Sequence, residues 1–259
     1  MIGILLWKEP QRGFWQRPVS LSERNILHMH FLCAEIARGP RTPEAQLGWR
    51  VSSAAKRMRK MGVTRVVLPE DFACVTQLEK YGVRPVSTLA LRRRLASDWV
   101  RQSLAERGVS PGGARVAVSA AQMTGELVRT VTELALRHRY VLLDVPYGGE
   151  ELCRRLRREY GVSLLLGPDR EQLEEADILV LFDPRTDLRR RSGVTLPLYD
   201  EAAPMGRLSL PPALEERLPE GAGRGQLLAA LLEAGGLRPE QVSVSAPPGP
   251  AAANTVLNA

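Results

Sequence analysis

The residues Val118-Ser119-Ala120-Ala121-Gln122-Met123-Thr124-Gly125 read as a strand that turns into a helix. This turn places two hydroxyl side chains, Ser119 and Thr124, where a helix N-terminus favours negative charge and can hold a small anion. The same hydroxyls have a purely local use, since Ser and Thr accept N–H groups of the first helical turn. Asp144 follows 25 positions after Ser119, at the end of the next apolar run. Its carboxylate could accept a hydrogen bond from a sugar hydroxyl or simply face solvent at a strand end. Asp183, with Pro184 and Arg185 behind it, closes a further apolar run from Asp177 to Phe182. In an open sheet of parallel strands such residues gather at one edge, where ligands sit, although Asp before Pro also favours a plain turn.

Other chemically capable groups give weaker patterns. His28, His30 and Cys33 include one pair at helical chelating spacing, but a metal centre needs more ligands, and no metal site is expected. Cys33, Cys74 and Cys153 are scattered and odd in number, so no disulfide framework is expected. Glu70-Asp71 offers adjacent carboxylates for acid/base chemistry, or a polar turn after a strand. Gly221-Ala222-Gly223-Arg224-Gly225 lacks both a preceding strand and a following Lys-Ser/Thr, so it reads as a flexible linker rather than a phosphate cradle. Arginines cluster at 92–94, 154–158 and 189–191, with few aromatics beside them to stack on bases. His138 falls near a helix end. No G-x-S-x-G elbow, P-loop or H-E-x-x-H occurs, so nucleophilic catalysis has no visible apparatus, and no catalytic residue is assigned.

The elements that must position these groups follow from periodicity and turn residues. Ile2 to Trp7 reads as a strand, followed by a loop with Pro10, Gly13 and Pro18. Ser20 and Glu23 stand in capping-box register and predict a helix to about Ala37, stopped by Gly39 and Pro40. Thr42 and Pro43 open a second helix whose Leu47, Val51, Ala54, Met58 and Met61 share one face. A strand at Thr64 to Leu68, a helix near Cys74 to Tyr81, a strand at Arg84 to Val86 and one long helix at about Leu89 to Arg107 complete the first half.

Ser110-Pro111-Gly112-Gly113 marks the expected boundary between a basic N-terminal domain, 1–112, and a second domain, 113–246, with a disordered tail at 247–259. Beyond it strands at 115–119, 140–145, 162–166 and 177–182 alternate with helices at 122–137, 150–160 and 170–176. Val194 to Tyr199 adds an edge strand interrupted by Pro197. A helix at 226–234 and a strand at 242–245 follow. The expected fold is α/β: a Rossmann-like parallel sheet with helices on both faces, preceded by a smaller α/β N-terminal domain.

Over residues 113–183 this order resembles Rossmann-type dinucleotide-binding domains. Laid against their G-x-G-x-x-G turn, the glycine positions hold Ser119, Ala121 and Thr124, so the fingerprint is missing. The resemblance implies a nucleotide cofactor, NAD(P) or another, with Ser119, Thr124, Asp144 and Asp183 as the cofactor-binding residues. The two-domain order is similar to that of shikimate-dehydrogenase-like enzymes, which implies a dehydrogenase with an atypical nucleotide site.

Composition bounds the rest. The chain has 259 residues, 44% hydrophobic and 25% charged, enough to bury a core. The opening apolar stretch is too short for a signal peptide and no run approaches a membrane span, so a cytoplasmic protein without membrane contact is expected. Residues 1–112 carry 19 Lys or Arg against 9 Asp or Glu, and the remainder 17 against 20. A basic first half attracts nucleic acid or phosphorylated ligands. Three functions stay open on these grounds: a binding or regulatory protein, with a small phosphorylated ligand, a nucleotide or a protein as partner; an atypical nucleotide-dependent dehydrogenase; and a protein that associates with nucleic acid.

Overall fold

The computed structural model describes residues 1–9, 18–190 and 192–247. Its chain divides into two units, one formed by Met1–Thr88 with Leu210–Val242, the other by Leu89–Ser209 with the segment from Ser243.

The first unit opens with β1 (Ile2–Lys8), followed after residues 10–17 by β2 (Val19–Ile26) and β3 (Met29–Ala37). The loop expected around Pro10 and Gly13 lies outside the described residues. The helix expected over Ser20 to Ala37 is instead this antiparallel hairpin. Leu27 and His28 turn the chain with positive φ, 48° and 66°, as a two-residue hairpin connection requires. Ser20 does not cap a helix; it lies opposite Glu35, and its hydroxyl donates across the pair at 3.4 Å. Tertiary pairing outweighs the local capping pattern here, because β3 also runs parallel to β1 and buries Phe31, Leu32, Cys33, Ala34 and Ile36.

From β3 the chain crosses through α1 (Glu44–Lys60) to β4 (Arg65–Val67), then through α2 (Val75–Glu79) to β5 (Arg84–Pro85), giving the sheet order β2-β3-β1-β4-β5. Val51, Ala54 and Met58 of α1 are buried, as their spacing predicts, and Leu47 is half-buried, whereas Met61 follows the helix and is exposed. Pro43 stands at the helix N-cap; Thr42 closes the preceding turn, its hydroxyl accepting from the Gly39 N–H at 2.8 Å.

The second unit begins with α3 (Leu89–Arg94) and α4 (Ala96–Glu106), two helices broken at Leu95 where one was expected. Next come β6 (Arg115–Ser119), α5 (Gly125–Ala135), β7 (Tyr140–Asp144), α6 (Gly149–Tyr160), β8 (Leu165–Leu166), α7 (Arg170–Glu175), β9 (Ile178–Leu181), β10 (Val194–Pro197) and β11 (Leu208–Ser209). The chain then supplies α8 (Pro212–Glu215) and α9 (Arg224–Glu233) to the first unit, and β12 (Ser243–Val244) returns to pair antiparallel with β11.

All the strand pairs of the larger sheet in this unit are parallel, in the order β10-β9-β6-β7-β8. Numbered along the chain from β6, this is 5-4-1-2-3, the Rossmann arrangement, whose order reverses between β6 and β9. The core is the near-continuous apolar content of β6, β7 and β9 under Leu127, Val131 and Leu134 of α5 and Leu152 and Leu156 of α6. Pro197 lies in the edge strand, as expected, where its missing N–H costs no ladder bond.

These units divide the chain differently from the boundary expected at residue 112. Helices α3 and α4 belong with the second sheet, to which α4 packs through β9, and Leu210–Val242 belongs with the first. Turn residues mark where a chain bends, and a bend need not separate two cores. The tail expected to be disordered lies, from residue 248, outside the described residues. No described helix is long and apolar enough to cross a membrane.

Candidate functional site at the switch point

The reversal of strand order puts a crevice beyond the carboxyl ends of β6 and β9, whose last paired residues are Ser119 and Leu181. Three of the four candidate residues converge there. Ser119 is buried, and its hydroxyl donates to Asp144 Oδ2 at 2.8 Å. Asp144 sits at the end of β7, directly opposite Ser119 in the parallel register. Asp183 reaches back from beyond β9, and its Oδ2 accepts from the Ala121 N–H at 2.7 Å.

Arg185 completes the cluster. One guanidinium nitrogen donates to the Ser119 hydroxyl at 2.8 Å and also to Asp144, while Asp187 takes the other two donors at 2.8 Å each. Asp187 and then Asp144 hold the guanidinium firmly protonated, and Arg185 in return pulls the exposed Asp187 carboxyl down to about 2. Asp144 and Arg185 keep about a quarter of their side-chain surface exposed, 27% and 28%. The crevice is therefore lined by paired charges that solvent still reaches.

Thr124 stands apart from this network. It is the N-cap of α5, and its hydroxyl accepts from the Leu127 N–H at 3.2 Å. Thr124→Ala is expected to cost about 1 kcal/mol of stability, the usual worth of such a cap, with the Thr124→Ser variant close to wild type in a urea melt.

The remaining chemical groups are accounted for locally. Asp71 accepts from Trp7 Nε1 at 2.7 Å and from Arg38, which ties the Glu70-Asp71 turn down. His28 is in the hairpin turn and His30 and Cys33 are on β3, and among the described residues no group of three or more His, Cys, Asp or Glu could hold a metal ion. The glycines at 221–225 do not form a linker: the Gly223 N–H donates to the Leu68 carbonyl at 2.6 Å.

His138 is buried, its Nδ1 is 3.3 Å from the Pro111 carbonyl, and its Nε2 has no partner among the described residues. Burial pushes its pKa down, so the folded protein favours neutral imidazole. The unfolded chain therefore takes up the proton first as pH falls. His138 is expected to contribute fully above about pH 6.5 and to lose that contribution as pH drops below it. Urea melts at stepped pH should show the loss in wild type and a shallower slope in His138→Leu.

The pairing of Arg185 with Asp144 and of Asp183 with Ala121 had no sequence signal beyond the position of these residues at strand ends. Asp187, two residues beyond Arg185, carries no such signal either.

No protein-family model and no curated protein sequence matches this chain. Among solved structures, part of it is similar to Thermococcus litoralis Δ1-pyrroline-2-carboxylate reductase in complex with NADH and L-proline, at 17% identity and a TM-score of 0.26 over 36% of this chain and 29% of that one. Nostoc punctiforme L-tryptophan dehydrogenase is similar at 16% identity and a TM-score of 0.30, over 64% and 49%. Listeria monocytogenes shikimate 5-dehydrogenase, in complex with shikimate and NAD, is similar at 13% and 0.29, over 64% and 67%. The chain thus spans well under two thirds of the length of the first two. The class of this unit rests on its own strand order: a Rossmann-like parallel α/β domain.

Proposed function

We propose that the protein is a binding or regulatory protein built on a Rossmann-like scaffold, with its dinucleotide crevice occupied by its own side chains. The observation that carries this reading is the Asp183 carboxylate on the Ala121 N–H. In dinucleotide-binding domains the N–H groups of this turn and helix start receive pyrophosphate. Here a fixed negative charge takes that donor, and the absence of all three fingerprint glycines keeps the backbone from approaching a phosphate closely.

The ribose side is engaged in the same way. An acidic residue at the end of the second strand serves a dinucleotide by accepting from a ribose hydroxyl. Asp144 instead accepts from Ser119 and Arg185. A dinucleotide would have to break these charge-assisted bonds, and every 1.4 kcal/mol so spent weakens affinity about tenfold.

The test is calorimetric titration of NAD(H) and NADP(H) into the full chain, beside a thermal-stability panel of small phosphorylated metabolites. Wild type is expected to show no saturable dinucleotide binding. Stoichiometric binding by wild type would overturn the reading and favour a nucleotide-dependent enzyme, whose supporting observation is the position of Asp144 opposite Ser119. A single metabolite that stabilises wild type, with the gain lost in Arg185→Ala, would identify the ligand class of a binding protein.

A further inference from the structure

The second sheet ends in two unlike edges. On one, β10 includes Pro197, which removes a backbone donor and discourages further pairing. On the other, the two-residue strand β8 pairs with β7 alone, and the segment that leads into it, Val162, Ser163 and Leu164, carries neither proline nor charge. Leu165 and Leu166 are 53% and 37% exposed. Tyr140 at the start of β7, Tyr147 beyond its end, and Tyr160 at the end of α6 are also exposed, Tyr147 to 84%. Five of the nine exposed large apolar side chains among the described residues therefore belong to β7, β8 and the segments that join them. An unpaired edge bearing such side chains can receive a partner strand.

The helix α6 lies along this edge. A Cβ on Gly149 would stand 3.4 Å from a Leu166 methyl, and Cys153 Sγ is 3.8 Å from the Leu164 carbonyl. Glu150 and Arg154 line a groove of about 590 Å³ with Tyr147 and Leu166, and Arg157 follows them on the same helical row. Neither Arg154 nor Arg157 has an ion-pair partner among the described residues. The row is acidic at its start and basic beyond.

We propose that this edge docks a second copy of the chain, β8 meeting β8 antiparallel across a two-fold axis. The two α6 helices are then antiparallel as well, and Glu150 of each opposes the arginines of the other. An acid-to-base polarity along a helix complements itself only in that orientation. The same rotation brings Tyr147, beyond one end of the strands, toward the end where Tyr140 and Tyr160 stand in the other copy. The contact is isologous, as closed dimers require. It does not depend on the ligand reading above.

Sedimentation velocity on the full chain over a micromolar dilution series tests this. Wild type is expected to be a dimer that dissociates on dilution. The Leu165→Lys/Leu166→Lys variant is expected to be monomeric throughout with unchanged far-UV circular dichroism. Because those leucines could also affect folding, Arg154→Glu/Arg157→Glu supplies an independent arm: its dimer should weaken by at least about tenfold, and adding Glu150→Arg should restore it. A wild type that stays monomeric across the series overturns the proposal. So does a dimer that survives the lysine substitutions, or a charge reversal that Glu150→Arg fails to rescue.

Discussion

Gly223→Ala is expected to destabilise the protein by about 3 kcal/mol, the sum of overpacking and a damaged buried hydrogen bond. The backbone at Gly223, φ −57° and ψ 111°, is open to any residue, so the cost does not come from conformation. It comes from proximity. A Cβ there would stand 2.4 Å from the Leu68 carbonyl oxygen, the atom that accepts the Gly223 N–H, while the Leu68 N–H donates to Gln226 Oε1 at 2.8 Å. Moving α9 away would loosen Leu227, Leu228, Ala230 and Leu231, all buried. Gly221→Ala is the control. It has positive φ, 76°, but open space around a Cβ, and should cost only about 1 kcal/mol for the left-handed backbone. Urea melts of the two variants should differ clearly in midpoint.

Arg92→Leu is expected to cost about 3 kcal/mol, the order expected when two carbonyl acceptors lose a charged donor. Arg92 is 4% exposed and donates to the Glu201 carbonyl at 2.9 Å and to the Ala203 carbonyl at 2.6 Å. Burial lowers its pKa, and nearby Asp200 and Glu201 oppose that shift. Leucine would fill much of the space but leave two carbonyls without that donor. Arg92→Lys keeps the charge and loses the planar fork, so it should fall between wild type and leucine in the same melt. A leucine variant as stable as wild type would mean that solvent or a rearranged loop satisfies those carbonyls.

The second half of the chain was largely legible because its elements agree at every level. Short apolar runs at β6, β7 and β9 alternate with amphipathic helices, and local pattern and tertiary burial call for the same structure. The hairpin was not legible for the opposite reason. Ser20 and Glu23 match a helix start, but β2 and β3 are selected by pairing with β1, a partner remote in sequence. Gly223 was misread because glycine spacing cannot distinguish freedom from close approach. At the crevice, Ser119, Asp144 and Asp183 could be placed from strand ends alone. That Asp183 would seat on the Ala121 N–H, and Arg185 on Asp144, depends on side-chain reach across strands, which no periodicity records.

The route of the chain through its two units has a consequence for synthesis. Residues 210–242 belong to the first unit but leave the ribosome after all of the larger sheet of the second. Sequential synthesis therefore makes the five-stranded parallel sheet available for folding while the earlier unit still lacks α9 and its hydrogen bonds to Leu68. The unit begun first is thus still incomplete when the larger sheet of the other is whole, and a nascent chain halted once residue 210 has emerged should protect β6 to β10 from protease before it protects β1 to β5.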